Sequence, residues 1–239
     1  MIQAGAKAPA LCYVAKDDII RPRGESMYRN ILFDFDGTVF DTVEGITKSA
    51  QYALKQQGIE ADLQELRCFA GPPLVDKFME VYGFDRETAE QATRDFKERY
   101  EPIGVKECRV FPGIKEVLQA LIKAGARVGI ATSKPQHLAE QLLAGEEMLG
   151  LFQVICGSEA KGNNNAKWQV LQRAMDALGA KPEDTVLVGD TKYDVEGARR
   201  CGVPCLGVRY GYAAEGELEA AGAIDIVEDM AELQAWLLK

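Results

Sequence analysis

Two aspartates, Asp34 and Asp36, directly follow a short run of apolar residues at positions 31–33. A short apolar run that ends in acidic residues is typical of a buried strand that carries carboxylates to the edge of a sheet. Residues i and i+2 of an extended backbone point the same way, so we expect both carboxylates to face one region of space. Gly37 then lets the backbone turn. The pair predicts a reaction centre that attracts a cation.

Further polar residues stand where later strands are predicted to end. Thr132 and Ser133 follow a predicted strand at residues 128–131 and precede a helix, a pattern that suits an anion site as well as ordinary helix capping. Asp190 ends the predicted strand at residues 185–189, and Asp194 falls in the first turn of the next helix. Acidic residues are common at helix starts, but Asp190 leaves a core strand in the same sheet as Asp34. We therefore expect Asp190 to join the reaction centre.

Two lysines are candidates for a positively charged side chain that binds an anion at this reaction centre. Lys167 begins a predicted amphipathic helix, and the register of that helix fixes its position. Lys161 lies beside Gly162 in a predicted loop that contains three asparagines. Most lysines are solvated surface charges, but the start of a core helix favours Lys167.

Composition excludes several classes of function. The 239 residues are 47% apolar and 27% charged, as in ordinary globular proteins, and carry a net charge of −9. An acidic chain argues against nucleic acid or an anionic membrane as the main partner. No stretch approaches the roughly 20 consecutive apolar residues of a membrane span. We expect a cytoplasmic protein that is a monomer or a homodimer.

Cysteine and histidine chemistry is poorly supported. The six cysteines include no Cys-x-x-Cys pair, which favours reduced thiols. The single histidine, His137, is predicted to be a surface helix residue. Serine or cysteine triads and most zinc sites need histidine, so those mechanisms lose their support.

The predicted elements divide the chain into an α/β core and a helical insert. Strands and helices alternate after residue 108, which predicts a Rossmann-like parallel sheet covered on both faces. Residues 42–108 show helical periodicity without a clear strand. We therefore predict a core at residues 27–41 and 109–239, with an inserted all-helical cap at residues 42–108. Residues 1–26 lack the features of a signal peptide and are interpreted as an extension that is disordered or not native.

These motifs, taken in order, resemble those of the haloacid dehalogenase superfamily of phosphatases. The resemblance rests on the Asp-Phe-Asp-Gly-Thr stretch at residues 34–38, Thr132, Lys167, and Asp190 followed by Asp194. The helical insert is similar to the small helical cap of that superfamily. The Gly-Pro-Pro-Leu loop at residues 71–74 is similar to that of the phosphoglycolate phosphatase, 5′-nucleotidase-like and pyrophosphatase members.

The resemblance implies a role for each motif residue. Asp34 is expected to be the nucleophile and Asp36 the general acid and base. Mg²⁺ is expected to be held by Asp34, the backbone carbonyl of Asp36 and Asp190, with support from Asp194, and oxygen ligands suit this hard cation. The phosphoryl oxygens are expected to be bound by three groups, which are Thr132, the backbone N–H of Ser133, and Lys167.

The predicted function is Mg²⁺-dependent hydrolysis of a small phosphomonoester through an aspartyl-phosphate intermediate, as in phosphoglycolate phosphatases. The alternatives are a 5′-nucleotidase or pyrophosphatase of the same fold and, less favoured, a sugar-phosphate mutase or a non-catalytic regulatory protein. Asp36 disfavours dehalogenation, because the dehalogenating members lack a carboxylate there. Substrate specificity is assigned to the cap, with Arg67, Gly71, Pro72 and Pro73 as candidate contacts.

Overall fold

The computed structural model of the chain describes residues 28–159 and 166–239. The predicted extension at residues 1–26 and the alternative lysine, Lys161, lie outside these described residues.

The strands of the described residues alternate with helices along most of the chain. In chain order, the strands are β1 (Asn30–Phe33), β2 (Phe40–Asp41), β3 (Arg109–Val110), β4 (Arg127–Pro135), β5 (Val154–Ser158), β6 (Thr185–Gly189), β7 (Cys205–Val208) and β8 (Asp225–Val227). The α-helices are α1 (Val43–Gln56), α2 (Leu74–Tyr82), α3 (Arg86–Tyr100), α4 (Ile114–Lys123), α5 (Gln136–Gly145), α6 (Lys167–Leu178), α7 (Lys192–Arg200), α8 (Glu217–Ala221) and α9 (Met230–Leu237).

Six strands form one sheet in the order β5-β4-β1-β6-β7-β8, and all neighbouring pairs are parallel. The predicted α/β fold with a parallel sheet is therefore confirmed. Strand β1 lies between β4 and β6, so the residues that follow these three strands meet at one edge of the sheet. Strand β4 continues to Pro135, beyond its predicted end, and its register with β5 is irregular between Ala131 and Pro135.

Hydrophobic side chains from β1 pack on both faces of the sheet. Ile31 and Phe33 belong to a cluster that includes residues of α4 and α9. Leu32 points to the opposite face and belongs to a cluster that includes residues of α6 and α7. This alternation is the period-two pattern of a strand that is buried on both sides.

Helices α1, α2 and α3 share a separate hydrophobic cluster, which includes Phe78 and Phe96 and also Phe69 from the segment between α1 and α2. Leu138 of α5 also belongs to this cluster, so the helical segment packs against the sheet layer. Asp85 caps the start of α3, because its side chain accepts a hydrogen bond from the Thr88 N–H over 2.8 Å.

Strands β2 and β3 form a short antiparallel pair that the sequence did not predict. Phe40 pairs with Val110 and Asp41 with Arg109, at the points where the chain leaves for the helical segment and returns from it. A two-residue strand is too short to produce a detectable hydrophobic period. The guanidinium of Arg109 also contacts the Asp41 carboxylate at 2.9 Å, which ties the two strands together.

Candidate active site

Asp34 and Asp36 follow β1 in a tight turn at the carboxyl edge of the sheet. The Asp34 N–H donates to the carbonyl of Val188 in β6 over 2.9 Å, which extends the pairing of β1 by one residue. The Gly37 N–H donates to the carbonyl of Phe40 over 2.8 Å and closes the turn. Gly37 has φ +81°, and a Cβ there would lie 2.0 Å from Oδ2 of Asp190. Only glycine therefore fits the close approach of this turn to the neighbouring carboxylate.

Three aspartates converge at this edge. Asp34, Asp190 and Asp194 each offer a carboxylate oxygen, and the three oxygens lie within 4.8 Å of one another. Asp190 follows β6, and Asp194 lies in the first turn of α7. The structure thus brings together three of the residues that the sequence assigned to the metal site.

Both oxygens of the Asp190 carboxylate are held by hydrogen bonds. The hydroxyl of Thr38 donates to Oδ1 over 3.2 Å, and the backbone N–H of Tyr212 donates to Oδ2 over 2.8 Å. Asp190 is completely buried. Burial raises its pKa well above the ordinary value, and the charges of Asp194 and Asp34 raise it further.

Asp194 is fixed at the start of α7 by Thr191. Its Oδ2 accepts hydrogen bonds from the Thr191 N–H over 3.0 Å and from the Thr191 hydroxyl over 2.9 Å. Its Oδ1 remains for an ion pair with Lys167, whose Nζ lies 2.6 Å away. Asp194 therefore caps its own helix and also orients the lysine.

Lys167 bridges two of the three aspartates. Its Nζ lies 2.6 Å from Oδ1 of Asp34 and 2.6 Å from Oδ1 of Asp194, and the lysine side chain is only 7% exposed. Burial alone would lower the pKa of Lys167, but the adjacent carboxylates of Asp194 and Asp34 outweigh it and raise the pKa. Lys167 is therefore charged at neutral pH.

The carboxylate cluster is crowded even with this lysine in place. Burial raises the pKa of Asp34 to about 6, although Lys167 acts in the opposite direction, and the charge of Asp194 adds to the rise. Three carboxylates beside one ammonium leave excess negative charge in a buried site. A divalent cation bound by oxygen atoms would relieve this repulsion, so the donor set fits a hard metal ion.

Thr132 and Ser133 continue β4 beside β1. Thr132 is buried, and its hydroxyl accepts a hydrogen bond from the Lys134 N–H over 3.2 Å. Ser133 is exposed at the same edge of the sheet. His137 lies on the exposed surface of α5.

One of the four residues assigned to substrate specificity lies against the sheet layer. Gly71 has φ +104°, and a Cβ there would lie 3.1 Å from the side chain of Thr191, next to Asp190. Pro72 and Pro73 follow directly and lead into α2. Arg67 is exposed in the short 3₁₀ turn Glu65–Phe69.

Sequence reasoning missed the role of Lys134. Its Nζ lies 3.0 Å from Oδ1 of Asp36 and also donates to the hydroxyl of Tyr100 at the end of α3. Lys134 stands in the same Thr-Ser-Lys stretch that predicted an anion site, so its place at the end of β4 was an available signal. No sequence pattern connects Tyr100 with the site, because it is brought there by the packing of the helical segment.

Tyr212 was also missed. Its backbone N–H binds Asp190, and its hydroxyl accepts a hydrogen bond from the Thr42 N–H over 2.6 Å. The same hydroxyl lies 3.2 Å from Oδ1 of Asp41, to which it donates. Thr42 is the N-cap residue of α1, and its side chain makes no capping hydrogen bond.

Comparison with known proteins identifies the family. The sequence model described as haloacid dehalogenase-like hydrolase matches residues 31–208, and the chain belongs to this family. The chain is 42% identical over 208 residues to a 5′-nucleotidase of Pseudomonas aeruginosa, and the match covers 87% of this chain and 94% of the relative. The chain is also 29% identical over 221 residues to a phosphoglycolate phosphatase of Rhodospirillum rubrum, and this match covers 88% of this chain and 91% of the relative.

A solved structure agrees with this assignment. The crystal structure of a predicted phosphatase from Clostridium acetobutylicum has a TM-score of 0.85 and 40% sequence identity, and the match covers 89% of this chain and 99% of that one. The prediction of a phosphatase of the haloacid dehalogenase superfamily is confirmed. Phosphatases of this family use a divalent metal ion, and the acidic cluster is present here. Within the described residues, no helix is both long and apolar enough to cross a membrane.

Proposed function

We propose that this chain is a Mg²⁺-dependent phosphatase that hydrolyses a small phosphomonoester through a phosphorylated Asp34. The observation that carries the proposal is the position of Asp34, whose carboxylate lies 2.6 Å from the ammonium of Lys167 and within 4.8 Å of carboxylate oxygens of Asp190 and Asp194. In this proposal, Lys167 provides positive charge and the neighbouring aspartates provide metal ligands, both of which phosphoryl transfer needs around a nucleophile.

Asp34, Asp190 and the backbone carbonyl of Asp36 hold the metal ion in this proposal, and Asp194 supports it. A bound Mg²⁺ supplies charge neutralisation for the phosphoryl oxygens. Lys167 binds the same oxygens together with the hydroxyl of Thr132 and the backbone N–H of Ser133. These groups follow β1 or β6, lie in the last residues of β4, or fall in the first turns of α6 and α7, at the carboxyl edge of the sheet.

The reaction proceeds in two displacements at phosphorus. The Asp34 carboxylate attacks the phosphorus atom, the bond to the leaving oxygen breaks, and Asp36 gives its proton to that oxygen. Asp36 then takes a proton from water, which attacks the same phosphorus atom and breaks the bond to Asp34. Phosphate leaves, and both carboxyl groups return to their starting states.

The helical segment serves as a cap over this site in our proposal, with residues 27–41 and 109–239 as the catalytic core and residues 42–108 as the cap. The contact of Gly71 with Thr191 supports a role for residues 71–73 at the substrate, and Arg67 offers a positive charge near them. The substrate is a small phosphorylated metabolite, and the protein acts in the cytoplasm as a monomer or homodimer. Its net charge of −9 supports the expectation that neither nucleic acid nor membrane is the partner.

Two substrate classes are candidates. The resemblance of the motifs and the relative from Rhodospirillum rubrum support phosphoglycolate. The higher identity to the Pseudomonas aeruginosa 5′-nucleotidase supports nucleoside 5′-monophosphates as the second candidate. Both are phosphomonoesters, so the same catalytic groups serve either one.

Phosphate release from a panel of substrates tests the proposal. The panel contains phosphoglycolate, nucleoside 5′-monophosphates, pyrophosphate, hexose phosphates and 4-nitrophenyl phosphate, each with Mg²⁺ and with a chelator. We expect Mg²⁺-dependent turnover that Asp34→Asn abolishes. The matched control is Asp176→Asn, which changes an exposed aspartate on α6 and should retain full activity. Equal inactivity of the wild type and Asp34→Asn toward the whole panel would overturn the proposal.

A further inference from the structure

A buried ammonium contacts Asp36, and the proposed mechanism gives it no role. Lys134 Nζ lies 3.0 Å from Oδ1 of Asp36, and the lysine side chain is only 2% exposed. The same Nζ lies 5.5 Å from the ring centre of Phe35, the residue between the two catalytic aspartates. The charge of Lys134 is therefore directed at the turn that carries the proposed acid and base.

Tyr100 holds the other side of this ammonium. The Tyr100 hydroxyl accepts a hydrogen bond from Lys134 Nζ, and the Tyr100 ring centre lies 5.0 Å from it. Tyr100 is the last residue of α3, it is buried, and its ring stacks on Phe96 at 5.2 Å. Lys134 thus connects a residue of the helical segment to Asp36 of the sheet layer.

The backbone of Lys134 is fixed as well. Its N–H donates to the hydroxyl of Thr132, and its carbonyl is packed against Gly157 of β5, where a Cβ would lie 2.7 Å from that oxygen. The lysine therefore cannot shift along β4 without breaking these contacts. These contacts fix the backbone of Lys134 relative to β1, which neighbours β4 in the sheet, and the hydrogen bonds with Asp36 and Tyr100 hold its ammonium.

Packing alone does not account for a lysine at this position. Taking an ammonium out of water costs several kcal/mol, and an apolar side chain of similar size often stabilises a protein as well or better. Burial acts to lower the pKa of Lys134, but Asp36 and Tyr100 outweigh it and raise the pKa, so the group stays charged. A buried charge that contacts a catalytic carboxylate is better explained by what it does to that carboxylate.

We propose that Lys134, held in place by Tyr100, is the positioning residue for Asp36. Its ammonium occupies Oδ1 of Asp36 and so reserves Oδ2 as the oxygen that gives the proton to the leaving group and later takes one from water. This inference rests on the proposed function of Asp36. Because Tyr100 belongs to the helical segment between β2 and β3, the orientation of Asp36 depends on how that segment is seated on the sheet.

The test compares Lys134→Met and Tyr100→Phe with two matched controls. Lys48→Met removes a lysine of α1 that forms ion pairs with Glu44 and Glu107, and Tyr52→Phe removes an exposed hydroxyl of the same helix. For each variant, kcat and KM are measured with 4-nitrophenyl phosphate at saturating Mg²⁺. The shift of the melting temperature on adding Mg²⁺ is measured alongside, because it reports an intact metal site.

We expect Lys134→Met to lower kcat by about 10- to 100-fold, a part of the 10²–10⁴-fold that general acid–base catalysis contributes, with KM changed less than about threefold. Tyr100→Phe should lower kcat by a smaller factor. The double variant should be no slower than Lys134→Met, because Tyr100 acts only through Lys134. The Mg²⁺-induced shift should persist in all variants, and both controls should match the wild type.

Wild-type kcat in Lys134→Met, or a change confined to KM, would overturn the inference, as would additive losses in the double variant. If Lys134→Met does not fold, Tyr100→Phe provides the test: a lower kcat with little change in KM supports the inference, and an unchanged kcat or a change confined to KM overturns it. An active wild type with an inert Asp34→Asn and a fully active Lys134→Met would refute this inference alone. A wild type without Mg²⁺-dependent phosphatase activity would refute the proposed function first, and this inference with it.

Discussion

The backbone N–H of Tyr212 donates a hydrogen bond to Oδ2 of Asp190 over 2.8 Å. The side chain of the same tyrosine extends to the point where the chain leaves the sheet, and its hydroxyl accepts the Thr42 N–H over 2.6 Å. Its ring also packs against the hydrophobic cluster of the helical segment. One residue thus connects a proposed metal ligand with the base of the proposed cap.

Tyr212→Phe should separate these two roles. The variant keeps the backbone bond to Asp190 but leaves the N–H of Thr42 without its acceptor, so we expect a loss of about 1–3 kcal/mol in the free energy of unfolding. Mg²⁺ affinity should stay within about threefold of the wild type, since the polar contacts that are lost, with Thr42 and Asp41, lie outside the metal site. Urea unfolding and a Mg²⁺ titration measure the two effects. A large loss of Mg²⁺ affinity with unchanged stability would contradict this division.

Gly37→Ala should damage the metal site, whereas Gly58→Ala should not. Both glycines have positive φ, +81° and +75°, so both substitutions carry a similar backbone strain of about 1–2 kcal/mol. A Cβ at Gly37 would collide with the Asp190 carboxylate, but a Cβ at Gly58 meets nothing within 4 Å. We expect Gly37→Ala to weaken Mg²⁺ binding by about 10- to 100-fold, the range for groups that support metal ligands. Equal Mg²⁺ affinities of the two variants would show that Asp190 does not bind the metal.

The site residues that could be predicted from the sequence are those that lie next to strands with a regular hydrophobic pattern. Asp34, Asp190 and Asp194 follow or flank strands with strong hydrophobic signals, and parallel topology places such strand ends together. Lys134, Tyr100 and Tyr212 act through contacts between segments distant in sequence. The distance from Tyr100 to Lys134 is 34 residues and that from Thr42 to Tyr212 is 170, and no local period encodes such pairs. The strands β2 and β3 escaped prediction because each has only two residues.

The stability of the metal-free protein should depend on Asp34 in a defined pH range. Burial raises the pKa of Asp34 from 3.8 to about 6, so the folded protein binds more protons at this group than the unfolded chain between these values. The group therefore destabilises the fold increasingly as pH rises from about 4 to about 6, and the penalty is complete above that range.

Asp34→Asn removes this penalty. In the presence of a chelator, the variant should be more stable than the wild type at pH 7 by roughly 1–3 kcal/mol, because one pKa unit corresponds to about 1.4 kcal/mol. The difference should vanish near pH 4, and Mg²⁺ should stabilise the wild type more than the variant. Chemical unfolding at several pH values provides the measurement. A wild type that is the more stable of the two at pH 7 without metal would contradict the raised pKa.

Lys167→Met should remove activity by about 10²–10³-fold, the cost typical of losing one group that stabilises charge in a transition state. The variant also leaves Asp34 and Asp194 without their shared ion-pair partner, so stability at neutral pH should fall. Lys123→Met, at an exposed position in the last turn of α4, is the matched control and should keep full activity. Measurement of kcat for both variants decides, and near-normal turnover of Lys167→Met would move the phosphate-binding role to another cation.

Direct trapping of the phosphoenzyme tests the central claim that Asp34 is the nucleophile. The protein is mixed with substrate and Mg²⁺, quenched with acid within one turnover and digested, and the site of phosphorylation is located by mass spectrometry. We predict a phosphoryl group on Asp34 in the wild type and none in Asp34→Asn. With 4-nitrophenyl phosphate, whose leaving group needs no proton, Asp36→Asn should accumulate more of it than the wild type, because activation of water is impaired. Turnover by Asp34→Asn at the wild-type rate, or a phosphoryl group on a different residue, would contradict the account.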